Sequence, residues 1–131
     1  MPQKYTTIRD GKRYLWYIER LWQQAKNLTP FKIEISSIKE LEQNCWFESR
    51  EPTLREVAKH CERINAADLS YPIILNDNGT LMEGGHRLCK SQMEGKSTIV
   101  AVQFKTMPKP DKILEITGTS QPVNHGDQGS I

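Results

Sequence analysis

The sequence predicts a mixed α/β fold of the α+β class, a small mixed sheet flanked by helices with an extra helix at the N-terminus. Residues 31–36, FKIEIS, alternate apolar and polar side chains as a half-buried strand does. Residues 51–68 open with Pro52 and a capping box, and continue with apolar residues at helical spacing. Residues 97–104, STIVAVQF, form a nearly continuous β-branched run, which is typical of a strand buried on both faces.

The N-terminal segment 12–26 predicts an amphipathic helix, because Leu15, Ile18 and Leu21 recur at helical spacing. The segment is rich in aromatic residues, and such a helix most often packs on a core. The alternative is a contact surface for a protein partner or for stacked bases. We therefore divide the chain into an N-terminal amphipathic helical extension (1–28), a core (29–106) and a C-terminal tail (107–131).

The core elements follow in order. Ser36 or Ser37 can cap a short helix, SIKELEQ, after the first strand. Thr53 and Glu56 form the capping box of the next helix. One face of that helix is apolar and consists of Leu54, Val57, Ala58, Cys61 and Ile64.

Turn-forming residues 76–79, NDNG, separate two short apolar runs, which predicts a hairpin of residues 73–75 and 80–82. A helix from near His86 to Gly95 and the strand of residues 97–104 follow. Residues 111–116, DKILEI, predict an edge strand, and the polar residues 117–131 are expected to be disordered.

The composition of the 131 residues limits the classes of function. No apolar run is long enough to span a bilayer, and the N-terminus lacks the pattern of a secretion signal, so we expect a cytoplasmic protein without membrane contact. A net charge of +2, without runs of like charge, supports DNA binding only weakly. Three cysteines fit neither a disulfide framework nor a zinc site, so no metal ligands are predicted among them. P-loop and dinucleotide-binding motifs are absent.

The segment LMEGGHRLCK places two glycines where a strand meets a helix. Gly84 and Gly85 permit a tight turn and a close approach by a ligand. The first N–H groups of the following helix have no intrahelical partner, so they favour an anion. Arg87 can grip two phosphate oxygens at once, and His86 adds a further donor. The other interpretation, which the spacing leaves open, is that the glycines only form a tight exit from the hairpin.

The same segment, LMEGGHRLCKSQMEGKSTIVAVQF, resembles the core motif of the ParB/sulfiredoxin superfamily, in which an apolar strand leads into a Gly-x-His/Arg-Arg corner, a helix and a final strand. The similarity extends back through FKIEISSIKEL and TLREVAKHCERINAADLSYPIIL and covers roughly residues 31–105. It implies that Gly84, Gly85, His86 and Arg87 hold the phosphates of a nucleotide such as ATP, ADP or CTP, together with Mg²⁺.

The chain departs from the members of this superfamily in informative ways. The catalytic cysteine of sulfiredoxin would fall at Gly85, so sulfiredoxin activity is rejected. Partition proteins continue into DNA-binding and dimerisation regions, so we expect that a centromere-binding role would need a partner.

A phosphotransferase or nucleotidase needs carboxylates to orient the attacking group and to hold the metal ion. Glu83, directly before the glycines, is the first candidate for a catalytic residue, on the family position. Glu48 and Glu51 are second candidates, and Arg50 is a further candidate phosphate ligand. Two functions stay open: a nucleotide-binding protein with phosphotransferase or nucleotidase activity, and a noncatalytic interaction or DNA-associated accessory module.

Overall fold

The computed structural model of the protein describes residues 3–47 and 50–116. Its helices and strands confirm the predicted α+β class. In chain order they are β1 (Lys4–Arg9), β2 (Lys12–Tyr17), α1 (Ile18–Ala25), β3 (Phe31–Glu34), two 3-10 turns (Ile35–Ser37 and Lys39–Glu42), α2 (Leu54–Ala66), β4 (Ile73–Leu75), β5 (Leu81–Glu83), α3 (Gly85–Met93), β6 (Thr98–Gln103) and β7 (Lys112–Glu115).

The N-terminal extension begins with a β-hairpin, so the predicted helix over residues 12–26 is wrong in its first half. Strands β1 and β2 pair with Arg9 opposite Lys12, around Asp10 and Gly11, which both have positive φ (54° and 75°). Two such residues form the turn that matches the twist of a hairpin. Strand β2 also pairs with β7, so its backbone forms hydrogen bonds with a strand on each side. The helix begins only at Ile18, after β2 ends.

The second sheet has the strand order β3-β6-β4-β5. Strands β4 and β6 are parallel, and the other pairs are antiparallel, which makes the sheet mixed as predicted. The hairpin of β4 and β5 is confirmed, with the second strand one residue later than expected. The β-branched run forms β6 in the middle of the sheet.

The two faces of this sheet carry separate halves of the hydrophobic core. Because side chains alternate along a strand, Ile73 and Leu75 point to one face, where they pack with Leu88 of α3. Ile74 points to the opposite face, where it joins the buried residues of the N-terminal extension. That second cluster consists of Tyr5, Trp16, Ile18, Leu21, Ala25, Ile74, Met82, Val102 and Phe104. The aromatic extension is therefore part of the core.

Helix α2 has the predicted start but not the expected burial. The Thr53 side chain accepts a hydrogen bond from the Glu56 N–H, and the Glu56 carboxylate accepts one from the Thr53 N–H, so the capping box is confirmed. No residue of α2 is buried, and the apolar face seen in the sequence lies largely in solvent. The segment SIKELEQ forms short 3-10 turns in place of the expected α-helix.

The C-terminal part of the described chain adds an edge strand. Strand β7 pairs with β2, which confirms the expected strand in DKILEI. The prediction of disorder for residues 117–131 lies outside the described residues. Within residues 3–47 and 50–116, no helix has the length and apolar character needed to cross a membrane.

Candidate functional site

The corner between β5 and α3 depends on a glycine with unusual backbone geometry. Gly84 has φ +115° and precedes the first helical residue, Gly85. A Cβ atom at Gly84 would lie 2.6 Å from the Cγ2 atom of Ile73, well inside van der Waals contact. The first turn of α3 has no side-chain cap. Gly84 therefore allows the close approach of α3 to β4, a packing role that was not predicted from the sequence.

Glu83 and Arg87 form a buried ion pair at this corner. Glu83 ends β5, and Arg87 lies four residues later in the first turn of α3. The Arg87 Nη2 atom donates to the Glu83 carboxylate and, at 3.2 Å, to the Pro72 carbonyl oxygen. The guanidinium carbon lies 5.4 Å from the ring centroid of Trp22 in α1. The Arg87 Nε atom is also buried and makes no hydrogen bond within the described part of the chain.

A cleft of about 690 Å³ opens between this ion pair and the N-terminal extension. Glu83 and Arg87 form one wall, and the end of β2 together with α1 forms the other. The side chains on that second wall are Tyr17, Ile18, Glu19, Arg20 and Trp22. One cavity therefore combines a guanidinium, a carboxylate and aromatic surface.

His86 lies on the other side of α3, in a cluster with His60 and Trp46. Its Nε2 atom lies 2.8 Å from the Nδ1 atom of His60 in α2, a hydrogen bond in which one ring donates and the other accepts. The indole of Trp46 stacks on both rings, with centroid distances of 4.3 Å to His60 and 4.5 Å to His86. The structure therefore separates the side chains of His86 and Arg87, which the sequence had placed together as phosphate ligands.

His60 gives the protein a predicted dependence of stability on pH. Burial, and then the positive charge of Arg63, lower the pKa of His60 below its usual 6.5. As the pH falls below about 6.5, the unfolded chain therefore binds a proton before the folded chain does. We expect the free energy of unfolding to be full above that pH and to decrease as the pH falls through the lowered pKa.

Urea unfolding at pH values above and below 6.5 measures this effect. His60→Gln keeps a hydrogen-bonding side chain but does not titrate, so its loss of stability in acid should be smaller than that of the wild type. An equal loss in both proteins would show that His60 is not the responsible group.

A small cavity of about 100 Å³ lies beside the first turn of α3 and is lined by Cys45, Cys89, Trp46 and Glu40, among others. Burial and the nearby Glu40 carboxylate raise the pKa of Cys45 to about 11, and burial raises the pKa of Cys89. Both thiols are therefore protonated near neutral pH, and neither is activated as a nucleophile.

The remaining candidates do not join the corner. Arg50 forms an ion pair with Glu56 beside the cap of α2. Glu51 is exposed, and Glu48 lies outside the described residues. The pair with Arg50, with help from the Thr53 N–H, lowers the pKa of Glu56 to about 2. The role of Arg50 as a phosphate ligand stays a prediction that these contacts do not favour.

Three residues near the corner were not identified as site residues from the sequence. They are Trp22, which lies beside Arg87, and Trp46 and His60, which lie beside His86. Trp22 was read only as part of an aromatic helix, and His60 was given no role. Their sequence distances from the corner are long, and no local motif links them to it. The one available signal was composition, because Trp46 is a large apolar residue in a short polar loop.

Among the described residues, no group of three or more His, Cys, Asp or Glu side chains is placed to hold a metal ion. Comparison of the chain with protein-family models, with curated proteins and with solved structures gave no match. The function must therefore be inferred from the chemistry of the residues themselves.

Proposed function

We propose that the protein binds a nucleotide through its phosphates at Arg87, in the cleft between α1 and the corner of residues 84–87. The observation that carries this proposal is the largely buried side chain of Arg87, which is 14% exposed. Its Nη2 atom donates hydrogen bonds to the Glu83 carboxylate and the Pro72 carbonyl oxygen, but its buried Nε–H has no partner in the described chain. Leaving a buried donor unsatisfied costs about 1–3 kcal/mol, and a phosphate oxygen would remove that cost.

The other wall of the cleft suits the base of a nucleotide. Trp22 and Tyr17 supply aromatic surface within the same cavity as Arg87. Stacking of a base on an aromatic side chain contributes about 1–3 kcal/mol. The cleft volume of about 690 Å³ also falls within the usual range of small-molecule sites, about 300–1,000 Å³.

The similarity of this segment to the ParB/sulfiredoxin motif supports the same position, since that superfamily holds phosphates at the matching corner. His86 and Gly85 are proposed to act indirectly. The hydrogen bond and ring stacking of His86 hold the first turn of α3 in place beside Arg87. The helix N-terminus adds a partial positive charge that favours an anion.

Mg²⁺ is proposed to enter with the nucleotide rather than to occupy a site made by protein side chains. Magnesium in phosphate sites is usually bound by one or two carboxylates, by water and by the phosphates. Glu83 and Glu19 are the carboxylates lining the cleft, so the residues fit this mode of binding. When bound, the ion would neutralise phosphate charge.

Glu83 is proposed as the residue that would orient an attacking hydroxyl or water if the terminal phosphate is transferred or hydrolysed. In the structure its carboxylate is held by Arg87. A phosphate that draws Arg87 toward itself would weaken that pair and free an oxygen of Glu83 to accept a proton. Release of inorganic phosphate, compared between wild type and Glu83→Gln, measures whether this step occurs.

The alternative of a noncatalytic interaction or DNA-associated accessory module stays a prediction. The aromatic N-terminal segment, predicted as this contact surface, is not well placed for it, because Trp16 in β2 is 3% exposed and Trp22 in α1 packs against the core and Arg87. A partner would have to use another face.

Thermal unfolding in the presence of ATP, ADP, CTP or GTP, with and without Mg²⁺, tests the proposed function. A ligand that binds only the folded state stabilises it by about 2.7 kcal/mol at one hundred times its Kd, so Tm should rise by several degrees. The matching nucleoside, which lacks phosphates, is the control and should give little or no shift. If no nucleotide raises Tm, or if the nucleoside raises it equally, phosphate recognition is wrong.

A further inference from the structure

The apolar face of α2 is left without a partner in the described chain. Leu54 is 90% exposed and Val57 is 41% exposed, and Ala58 and Cys61 are exposed as well. Leu54, the adjacent pair Val57 and Ala58, and Cys61 recur every three or four residues, so they form one stripe along the helix. The half-buried edge of α2 that meets α3, with His60 and Ile64, lies next to this stripe.

Such a stripe is unfavourable in a protein that stays monomeric. A helix of 13 residues is marginal in water on its own and gains most of its stability from packing of its apolar face. A contiguous exposed apolar strip of this kind marks an interaction surface more often than a single exposed residue does.

We infer that this face binds the same face of a second copy of the chain, with the two α2 helices antiparallel. A two-fold axis between residues 59 and 60 would place Ala58 of one copy against Cys61 of the other. Leu54 would then lie near Asn65 at each end. The surface is self-complementary, as an interface between two identical copies has to be.

The charges beside the stripe select this arrangement. Successive residues on a helix are about 100° apart, so Arg55 and Glu62 lie on the same flank of the stripe, two turns from each other. In the antiparallel pair, Arg55 of one copy lies within about 3 Å, along the helix axis, of Glu62 of the other. Two equivalent Arg55–Glu62 pairs form. A parallel pair would instead place the Arg55 and Glu62 flanks of the two copies on opposite sides of the contact, so no Arg55–Glu62 pair would form.

The contact is small, so the dimer is expected to be weak. Helix α2 is about 20 Å long, and a single pair of such helices buries less than the roughly 800 Å² per partner of a stable interface. Dimerisation should therefore depend on concentration and weaken as salt is raised, because exposed ion pairs are screened. This inference is independent of nucleotide binding.

Sedimentation velocity over a range of concentrations, with matched charge-reversal variants, tests it. Arg55→Glu and Glu62→Arg should each weaken dimerisation, because each places like charges across the axis. The double variant Arg55→Glu/Glu62→Arg should restore it. Lys59→Glu, on the solvated side of the same helix, is the control and should leave the dimer unchanged. Leu54→Glu should abolish the dimer.

Cys61 offers an independent measurement at the same axis. Diamide accepts the two electrons and two protons released when two thiols form a disulfide, so it should cross-link the Cys61 side chains of two copies. Cys61→Ser should prevent the cross-link, although Cys45 and Cys89 remain. A monomer at every concentration, or a dimer that the single reversals do not weaken or that the double reversal does not restore, would overturn the inference.

Discussion

Removal of residues 1–28 is expected to abolish the folded state rather than to leave a folded core. The hairpin of β1 and β2, together with α1, covers the sheet face that carries Ile74, Met82, Val102 and Phe104. Burying one large apolar side chain contributes about 1.5–3 kcal/mol, so exposing four of them would cost about 6–12 kcal/mol. That cost is comparable to the whole stability of a typical domain, about 5–15 kcal/mol.

The measurement is thermal unfolding followed by circular dichroism, in which the truncated chain should show no cooperative transition. Two single substitutions in α1 provide a graded control. Leu21 is 1% exposed, so Leu21→Ala should lower the free energy of unfolding by about 2–5 kcal/mol. Gln23 is exposed, so Gln23→Ala should change the free energy of unfolding little. A truncated protein that still unfolds cooperatively near the wild-type temperature would mean that the extension only docks on an independent core.

Gly84→Ala is expected to be the most damaging methyl addition among the glycines of residues 3–47 and 50–116. The new Cβ would lie 2.6 Å from Ile73 Cγ2 and 3.0 Å from Arg87 Nη2, and Ile73 is fully buried and cannot move aside. Overpacking costs about 1–3 kcal/mol, and a positive φ at a residue with a side chain costs about 1–2 kcal/mol more. We therefore expect a loss of about 2–5 kcal/mol.

Gly95→Ala is the matched control for this effect. Gly95 also has a positive φ, +77°, but no atom lies within 4 Å of its added Cβ, so only the backbone cost should appear. Urea unfolding of both variants separates the two contributions. Equal losses at Gly84 and Gly95 would contradict the close approach between α3 and β4.

The elements that the sequence predicted well are those with local signals. The capping box of Thr53 and Glu56 fixed the start of α2, and the turn residues 76–79 predicted the β4–β5 hairpin. The N-terminal hairpin also had a local signal, the Asp10–Gly11 pair, which was missed because the spacing of Leu15, Ile18 and Leu21 was taken as helical. Strand β2 also pairs with β7, about a hundred residues away, and such long-range pairing has no local signature.

The candidate site was predictable as a position and not as a set of contacts. The glycines marked where β5 meets α3, and Arg87 was identified as a candidate ligand from that corner alone. That Arg87 lies over Trp22, and His86 over Trp46 and beside His60, depends on packing between distant segments. The side chains of consecutive helix residues point about 100° apart, so those of His86 and Arg87 face different neighbours.

Calorimetric titration with a nucleoside triphosphate and Mg²⁺ tests phosphate binding by Arg87 most directly. The titration compares wild type with Glu83→Gln and with the double variant Glu83→Gln/Arg87→Gln. The double variant replaces both charges of the pair by neutral amides, and so it removes the guanidinium without leaving an unpaired carboxylate. Wild type and Glu83→Gln should bind, and the double variant should bind at least about tenfold more weakly, because a hydrogen bond to a charged group contributes about 1.5–3 kcal/mol. Equal affinity of Glu83→Gln and the double variant would contradict the assignment of the site.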